Sequence, residues 1–164
     1  MSTNGNGIRE LAILARQVRE VTLRVFDTVD SSALTWTPTG TRNHILWHMG
    51  HAVWVADVLT IEPITGRGEL PSGWEQQFGQ DSQPATIRDW PDRAVVRSHL
   101  ESQLQRVLQL FDSEQETLAA RADQLWPNSG WPLLEGIIHG WHDEARHQGE
   151  VHLLQKLWRA ANAR

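Results

Sequence analysis

The sequence predicts an all-α protein, a four-helix bundle with a long crossover between the second and third helices. Three observations predict it. Four segments space their apolar residues at three- and four-residue steps, the period of an amphipathic helix. No segment alternates apolar and polar residues as a half-buried strand does. One connection, between the second and third segments, is rich in Pro and Gly and has no lasting period. Its 164 residues suit a single domain with a real core.

The first helix is read over residues 8–29, where Leu11, Leu14, Val18, Val21, Leu23 and Phe26 make an apolar stripe. The polar stretch before it, residues 1–7, reads as a flexible tail. Asp30-Ser31-Ser32 ends the helix, and a loop with Trp36, Pro38 and Gly40 leads to Thr41, a candidate N-cap. The second helix is expected over about residues 42–61, with His44, His48, His51, Val55 and Val58 on one face. From Glu62 to about Pro84 there are three Pro and four Gly. Long connections of this kind are often functional, and Trp74 and Phe78 predict that this one packs down as a lid or pocket wall. A short helical turn is expected at residues 86–90. Pro91 suits a helix N1 position and opens the third helix, with Val95, Val96, Leu100, Leu104, Val107, Leu108 and Phe111. That helix is expected to fray between Asp112 and Ala122. Trp126 to Pro132 is a compact turn before the fourth helix.

The fourth helix carries the chemistry. Its middle reads Gly140-Trp141-His142-Asp143-Glu144-Ala145-Arg146-His147-Gln148-Gly149-Glu150-Val151-His152. At about 100° per residue, Asp143, His147 and Glu150 share a side, with His139 a turn earlier. Further on, that side becomes Leu154, Leu157 and Trp158, which read as core. Polar groups therefore stand where the helix should bury itself, and burying them is costly unless they are paired or bind a metal. Asp143 and His147 at i, i+4 can close on one ion, as in helix-borne zinc sites. Adding a histidine of helix two, His51 first and then His48 or His44, makes three protein ligands. Such a set leaves positions open for water or substrate, and suits Zn, Fe(II), Ni or Mn. A buried hydrogen-bonded network without an ion is the competing reading.

Composition narrows the classes further. The net charge of −5, with no Lys/Arg cluster, offers no electrostatic footprint for nucleic acid. No apolar run approaches the length of a membrane span. The polar N-terminus lacks the apolar core of a signal peptide, so a cytoplasmic location is expected. With no Cys, any metal is held by His and carboxylates. Nine Trp and no Tyr is an odd aromatic balance, read either as core filling or as walls of a ligand pocket. No phosphate loop, nucleophile elbow or zinc-finger spacing is present.

Two segments, Trp47-His48-Met49-Gly50-His51-Ala52-Val53-Trp54 and His142 to Val151, resemble the signature segments of the DinB/YfiT-like superfamily. The similar branch includes mycothiol- and bacillithiol-dependent enzymes and the N-terminal domain of ergothioneine-forming sulfoxide synthases. The resemblance implies a four-helix bundle with a crossover that binds a divalent metal through three histidines. It maps the helix-two ligand onto His51 and the last ligand onto His147. The remaining ligand position is Asp143, a departure from the family histidine. His142 lies one residue too early, about 140° from His147 around the helix. The expected metal set is therefore His51, Asp143 and His147. Glu150 stands where the family often carries Gln, and is expected to orient a ligand, bind metal or act as a base. His48 and His139 are expected beside the ligands, with His48 and Glu150 the candidate catalytic proton carriers. Arg146 borders the stripe, either paired with Asp143 or Glu144 or receiving an anionic substrate group.

The functional expectation is a metal-dependent enzyme acting on a small molecule, a thiol S-transferase or hydrolase. The low-molecular-weight thiol co-substrate is implied by the resemblance alone. The alternative is a non-catalytic, stress-associated small-ligand binder or structural dimer with a vestigial metal site. Either reading is compatible with a homodimer.

Overall fold

A computed structural model describes residues 4–127 and 129–163. Four long helices form the bundle: α1 (Asn4–Asp27), α2 (Ile45–Ala56), α5 (Arg93–Ser113) and α7 (Leu133–Asn162). Shorter helices decorate the connections: α3 (Glu62–Thr65), α4 (Trp74–Phe78) and α6 (Gln115–Ala120). Among the described residues no strand forms, only an isolated bridge between Leu125 and Pro132.

The long helices pack as a ring in which α1 touches α5 and α7, and α2 touches the same two from the other side. Contacts along α1 climb together with those along α7, from Arg19–Glu144 to Thr22–Gln148. Those between α2 and α7 run in opposite senses, with His51 near Asp143 and Val55 near Gly140. On α2 and α5, Ile45 to Val53 share one apolar cluster with Val96 and Leu100, while Ala56 and Ile61 share the next with Leu104 and Val107. Those two helices are therefore parallel neighbours, which a short turn cannot join. The crossover predicted from Pro and Gly content is the segment that carries the chain back.

The start of α1 lies at Asn4, four residues ahead of the expected start, so of the anticipated tail only residues 1–3 remain, and they lie outside the described residues. Helix α2 starts later than expected. Thr41 is not its cap, because its hydroxyl and amide both bond the Pro38 carbonyl in a turn. The cap is His44, whose Nδ1 accepts from the Trp47 amide at 3.0 Å. That use of His44 also buries it, its ring edge on to Trp90. Beyond Ala56 the helix widens into a π-helical turn, Asp57–Ile61, before tightening again as α3. Such turns recur beside functional sites because one extra residue re-aims the side chains.

The crossover packs down as anticipated, with Trp74 and Phe78 buried on α4. The expected turn at 86–90 is instead a 3-10 turn at Pro84–Thr86, and α5 begins at Arg93, two residues beyond Pro91. The stretch expected to fray holds α6, pinned by fully buried Leu118. On α7, Leu154 is buried but Leu157 is exposed and Trp158 only half-buried, so the inward stripe ends a turn sooner than its sequence suggests.

A polar layer divides the core in two. Fully buried Arg19 donates from Nε and Nη2 to the two carboxylate oxygens of Glu144 at 2.8 and 2.9 Å. It also bonds the Gln103 side chain and the Leu100 carbonyl. Thr22 donates to Glu144 at 2.6 Å, and Gln103 donates onward to the Val53 carbonyl on α2. All four bundle helices meet in this layer. On one side lies the apolar cluster around Phe26, Met49, Phe78 and Val151; on the other lies the cluster around Leu11, Phe111, Ile137 and Trp141. Breaking one partner of so deeply buried a pair leaves an uncompensated charge, a loss of about 3–5 kcal/mol.

Candidate metal centre

The side chains singled out on α2 and α7 meet at the level of that polar layer, on a neighbouring face of α7. His51 Nε2 and His147 Nε2 lie 3.7 and 3.2 Å from the same atom, Asp143 Oδ2. Both rings are held through their other nitrogen. His51 Nδ1–H donates to the Phe78 carbonyl at 2.6 Å, and His147 Nδ1 lies 2.5 Å from Glu150 Oε2. A nitrogen donating from Nδ1 leaves the Nε2 lone pair free in a neutral imidazole. Two such lone pairs and a carboxylate oxygen thus face one another in a buried corner, and His147 Nε2 has no hydrogen-bond partner there. Three acceptors converging without a donor demand a proton or a cation. His51, Asp143 and His147 fit a divalent ion.

The local fold explains why His51 is so well aimed. Gly50 precedes it, and a Cβ at Gly50 would lie 2.2 Å from the Phe78 ring. The glycine is what lets α4 close on α2, so that the Phe78 carbonyl reaches His51. Trp74 Nε1–H donates to the Gly50 carbonyl and Trp47 Nε1–H to Ser82 Oγ, fastening the crossover at two further points. Trp47 stacks on His51 at 4.4 Å, and Trp54 covers its other side at 5.3 Å.

Behind His147 lies the second histidine. His48 Nδ1 is 2.9 Å from His147 Nδ1 and 3.1 Å from Glu150 Oε2, so His48, His147 and Glu150 form an alternative ion-holding group that shares His147. His48 is buried and does not line the cleft, whereas Glu150 is half-exposed at its lip. Arg146 donates to Asp143 Oδ1, which leaves Oδ2 as that residue's inward oxygen. Of the two partners open to Arg146 in the sequence, Asp143 is the one it takes; Glu144 turns the other way, to Arg19.

Electrostatics follow from burial and pairing. Burial pushes His51 down to about 4 and lowers His48, so both are neutral at pH 7. Burial would also lower His147, but the Asp143 and Glu150 carboxylates outweigh it and raise the group. Burial would raise Asp143, yet the His147 ring 3.2 Å away and the nearby Arg146 and His51 hold it below the carboxylate range. Glu150 sits at about 2, chiefly through its hydrogen bond with His48.

The site opens into a cleft of about 560 Å³, whose walls include Trp47, Trp54, Val55 and Leu59 from the α2 side and Trp131 and His139 from the α7 side. Several tryptophans therefore do wall a pocket, while Trp74 and Trp141 fill the core. His139 is exposed and stacked on Trp131 at 4.6 Å, so it belongs to the mouth of the cleft, not beside a ligand as expected. His44 caps α2 and stays out of the site. His99 packs on Trp74, and His142 and His152 are exposed, all away from the cluster. The buried Arg19–Glu144 pair had no counterpart in the sequence reading; the one signal was an arginine on the inner face of α1, between Ala15 and Thr22.

Among the described residues, no helix is long and apolar enough to cross a membrane. No curated protein and no solved structure matches the chain. The family model of the DinB superfamily matches residues 14–151, a span that runs from the middle of α1 through Val151 and takes in both signature segments. On that match and on its parallel α2–α5 crossover, the chain belongs to the DinB superfamily.

Proposed function

We propose that this protein is a divalent-metal-dependent enzyme that activates a low-molecular-weight thiol or a water molecule toward a small molecule bound in the cleft. His51, Asp143 and His147 are the proposed ligands. The observation that carries the reading is the orientation of the two histidines. Each is tethered through Nδ1 to an acceptor, Phe78 O or Glu150, so that both Nε2 atoms face Asp143 Oδ2. Carbonyl and carboxylate partners of this kind fix the tautomer that a metal requires. A bound divalent ion lowers the pKa of a thiol or water enough to supply a nucleophile near neutral pH.

The chain's own residues then divide the work. Arg146 occupies Asp143 Oδ1 and so limits that residue to one inward oxygen. Trp47 and Trp54 sandwich His51 and keep bulk water from its ring. Glu150 at the cleft lip and His48 behind it form the proposed proton route. A carboxylate held at about 2 does not keep a proton by itself; it can only pass one on, and the neutral imidazole of His48, 3.1 Å away, is the neighbouring base that can accept it in transit.

A second reading has one observation in its favour. The Arg146–Asp143 ion pair and the raised His147 allow the cluster to balance its charge without an ion, as a non-catalytic ligand binder with a vestigial site would. Elemental analysis of untagged protein beside Asp143→Ala separates the two. About one transition metal per chain, lost in the variant, supports the enzyme reading. No metal in the wild type, even after reconstitution with Zn, Ni, Fe(II) or Mn, overturns it in favour of the second.

A further inference from the structure

We infer that the small molecule taken by this cleft carries a carboxylate close to its metal-seeking atom, and that Arg146 receives that carboxylate. The inference rests on the metal reading above and adds the substrate's charge and the residue that reads it.

Arg146 is the one Lys or Arg among the described residues lining the cleft. Its side chain is 66% exposed although it sits against a nearly buried carboxylate. One of its N–H groups goes to Asp143 Oδ1, and among the described residues the others have no protein partner. A guanidinium offers five donors in a rigid fork, so holding Asp143 leaves enough of them for a second carboxylate.

The charge inventory points the same way. The carboxylates lining the cleft are Asp143 and Glu150, and both are already engaged, by Arg146 and His147 and by His147 and His48. A divalent ion at the ligand set leaves the cleft with a net positive charge between aromatic and aliphatic walls, an arrangement that concentrates anions.

Position supplies the spacing. Asp143 bridges the two recognition points, with Oδ1 on Arg146 and Oδ2 facing His51 and His147. A ligand whose thiol or hydroxyl seeks the ion therefore meets Arg146 a few bonds away, and the rest of it lies along Trp54 and Trp131. A neutral or cationic group at that place would leave the guanidinium unanswered.

The test uses two probes that differ only in charge, 3-mercaptopropionate and 3-mercaptopropanamide. Zinc affinity is measured first, by calorimetry, on wild type, Arg146→Gln and Arg146→Lys. Each zinc-loaded protein is then titrated with both probes. Wild type is expected to prefer the carboxylate about 10-fold or more, the worth of one charge-assisted hydrogen bond. Arg146→Gln is expected to bring that ratio near one, and Arg146→Lys to keep part of it. A ratio unchanged in Arg146→Gln overturns the inference, because the carboxylate is then read elsewhere. Equal weakening of both probes also overturns it, because Arg146 then acts only through Asp143. Failure of wild type to bind zinc is a separate result that removes the metal reading itself, and this inference with it.

Discussion

His51 Nδ1 lies 2.6 Å from the carbonyl oxygen of Phe78, so a residue of the crossover sets the direction of a residue of the bundle. The two come that close because Gly50 has no side chain for the Phe78 ring to meet.

Gly50→Ala should therefore damage the site through the crossover. The new methyl would fall 2.2 Å from a fully buried ring, and overpacking of this kind costs about 1–3 kcal/mol. Phe78 retreats, its carbonyl leaves His51, and zinc affinity should fall about 10-fold or more, the usual consequence of losing a ligand's outer partner. Thermal unfolding and zinc titration check the two effects; normal zinc affinity in a destabilised variant would show that His51 needs no such tether.

Glu150→Gln keeps the size of the side chain and removes its charge. Its oxygen can still accept from His147 Nδ1, but without the charge that helps to hold that ring. Zinc affinity should drop by roughly 10-fold with little change in melting temperature, since Glu150 is half-exposed at the lip. A drop in stability without a drop in affinity would make Glu150 a structural residue.

Arg19→Met should be among the most damaging single changes in the chain. It strands the buried Glu144 carboxylate, a loss of about 3–5 kcal/mol. Adding Glu144→Leu removes the stranded charge, and the double variant should recover most of the loss. Chemical denaturation of the two variants measures this; an equal loss in both would mean that packing, not charge, governs the layer.

The π-helical turn gives a pH signature. Burial raises Asp57 from 3.8 to about 6, against the Glu69 amide that donates to it at 2.9 Å. The fold thus prefers the protonated acid. Its contribution is complete below pH 4, where the unfolded chain is protonated too, and is lost as the pH climbs through 6. Asp57's share of the stability should fall across that window, against the rise contributed by the buried His44 and His51, and Asp57→Asn should remove that share. Melting curves from pH 4 to pH 7.5 decide it; parallel curves for the two proteins would clear Asp57.

The site was more legible in the sequence than the framework holding it. Asp143, His147 and Glu150 recur at helical spacing on a face that should be apolar, and polar residues on an apolar stripe are visible without coordinates. His51 needed the family resemblance to be preferred over His48, because both lie on the same face of α2. What aims these rings was not visible. The Phe78 carbonyl is backbone and leaves no trace in residue identity. The Arg19–Glu144 pair spans 125 residues, and although Arg19 falls on the inner face of α1, nothing local names its distant partner. Likewise His44 reads as a face residue in the sequence, since capping by an imidazole nitrogen has no distinct sequence sign.

Asp143 and Glu144 are neighbours in the chain, yet one faces the cleft and the other anchors the bundle. About 100° of helix rotation separates the two tasks. The register of α7 is thus locked by a residue that takes no part in the chemistry, and Asp143 is spared that anchoring duty. A change at position 143 therefore alters the donor set that faces the cleft while leaving the Arg19–Glu144 layer that fixes the helix in place.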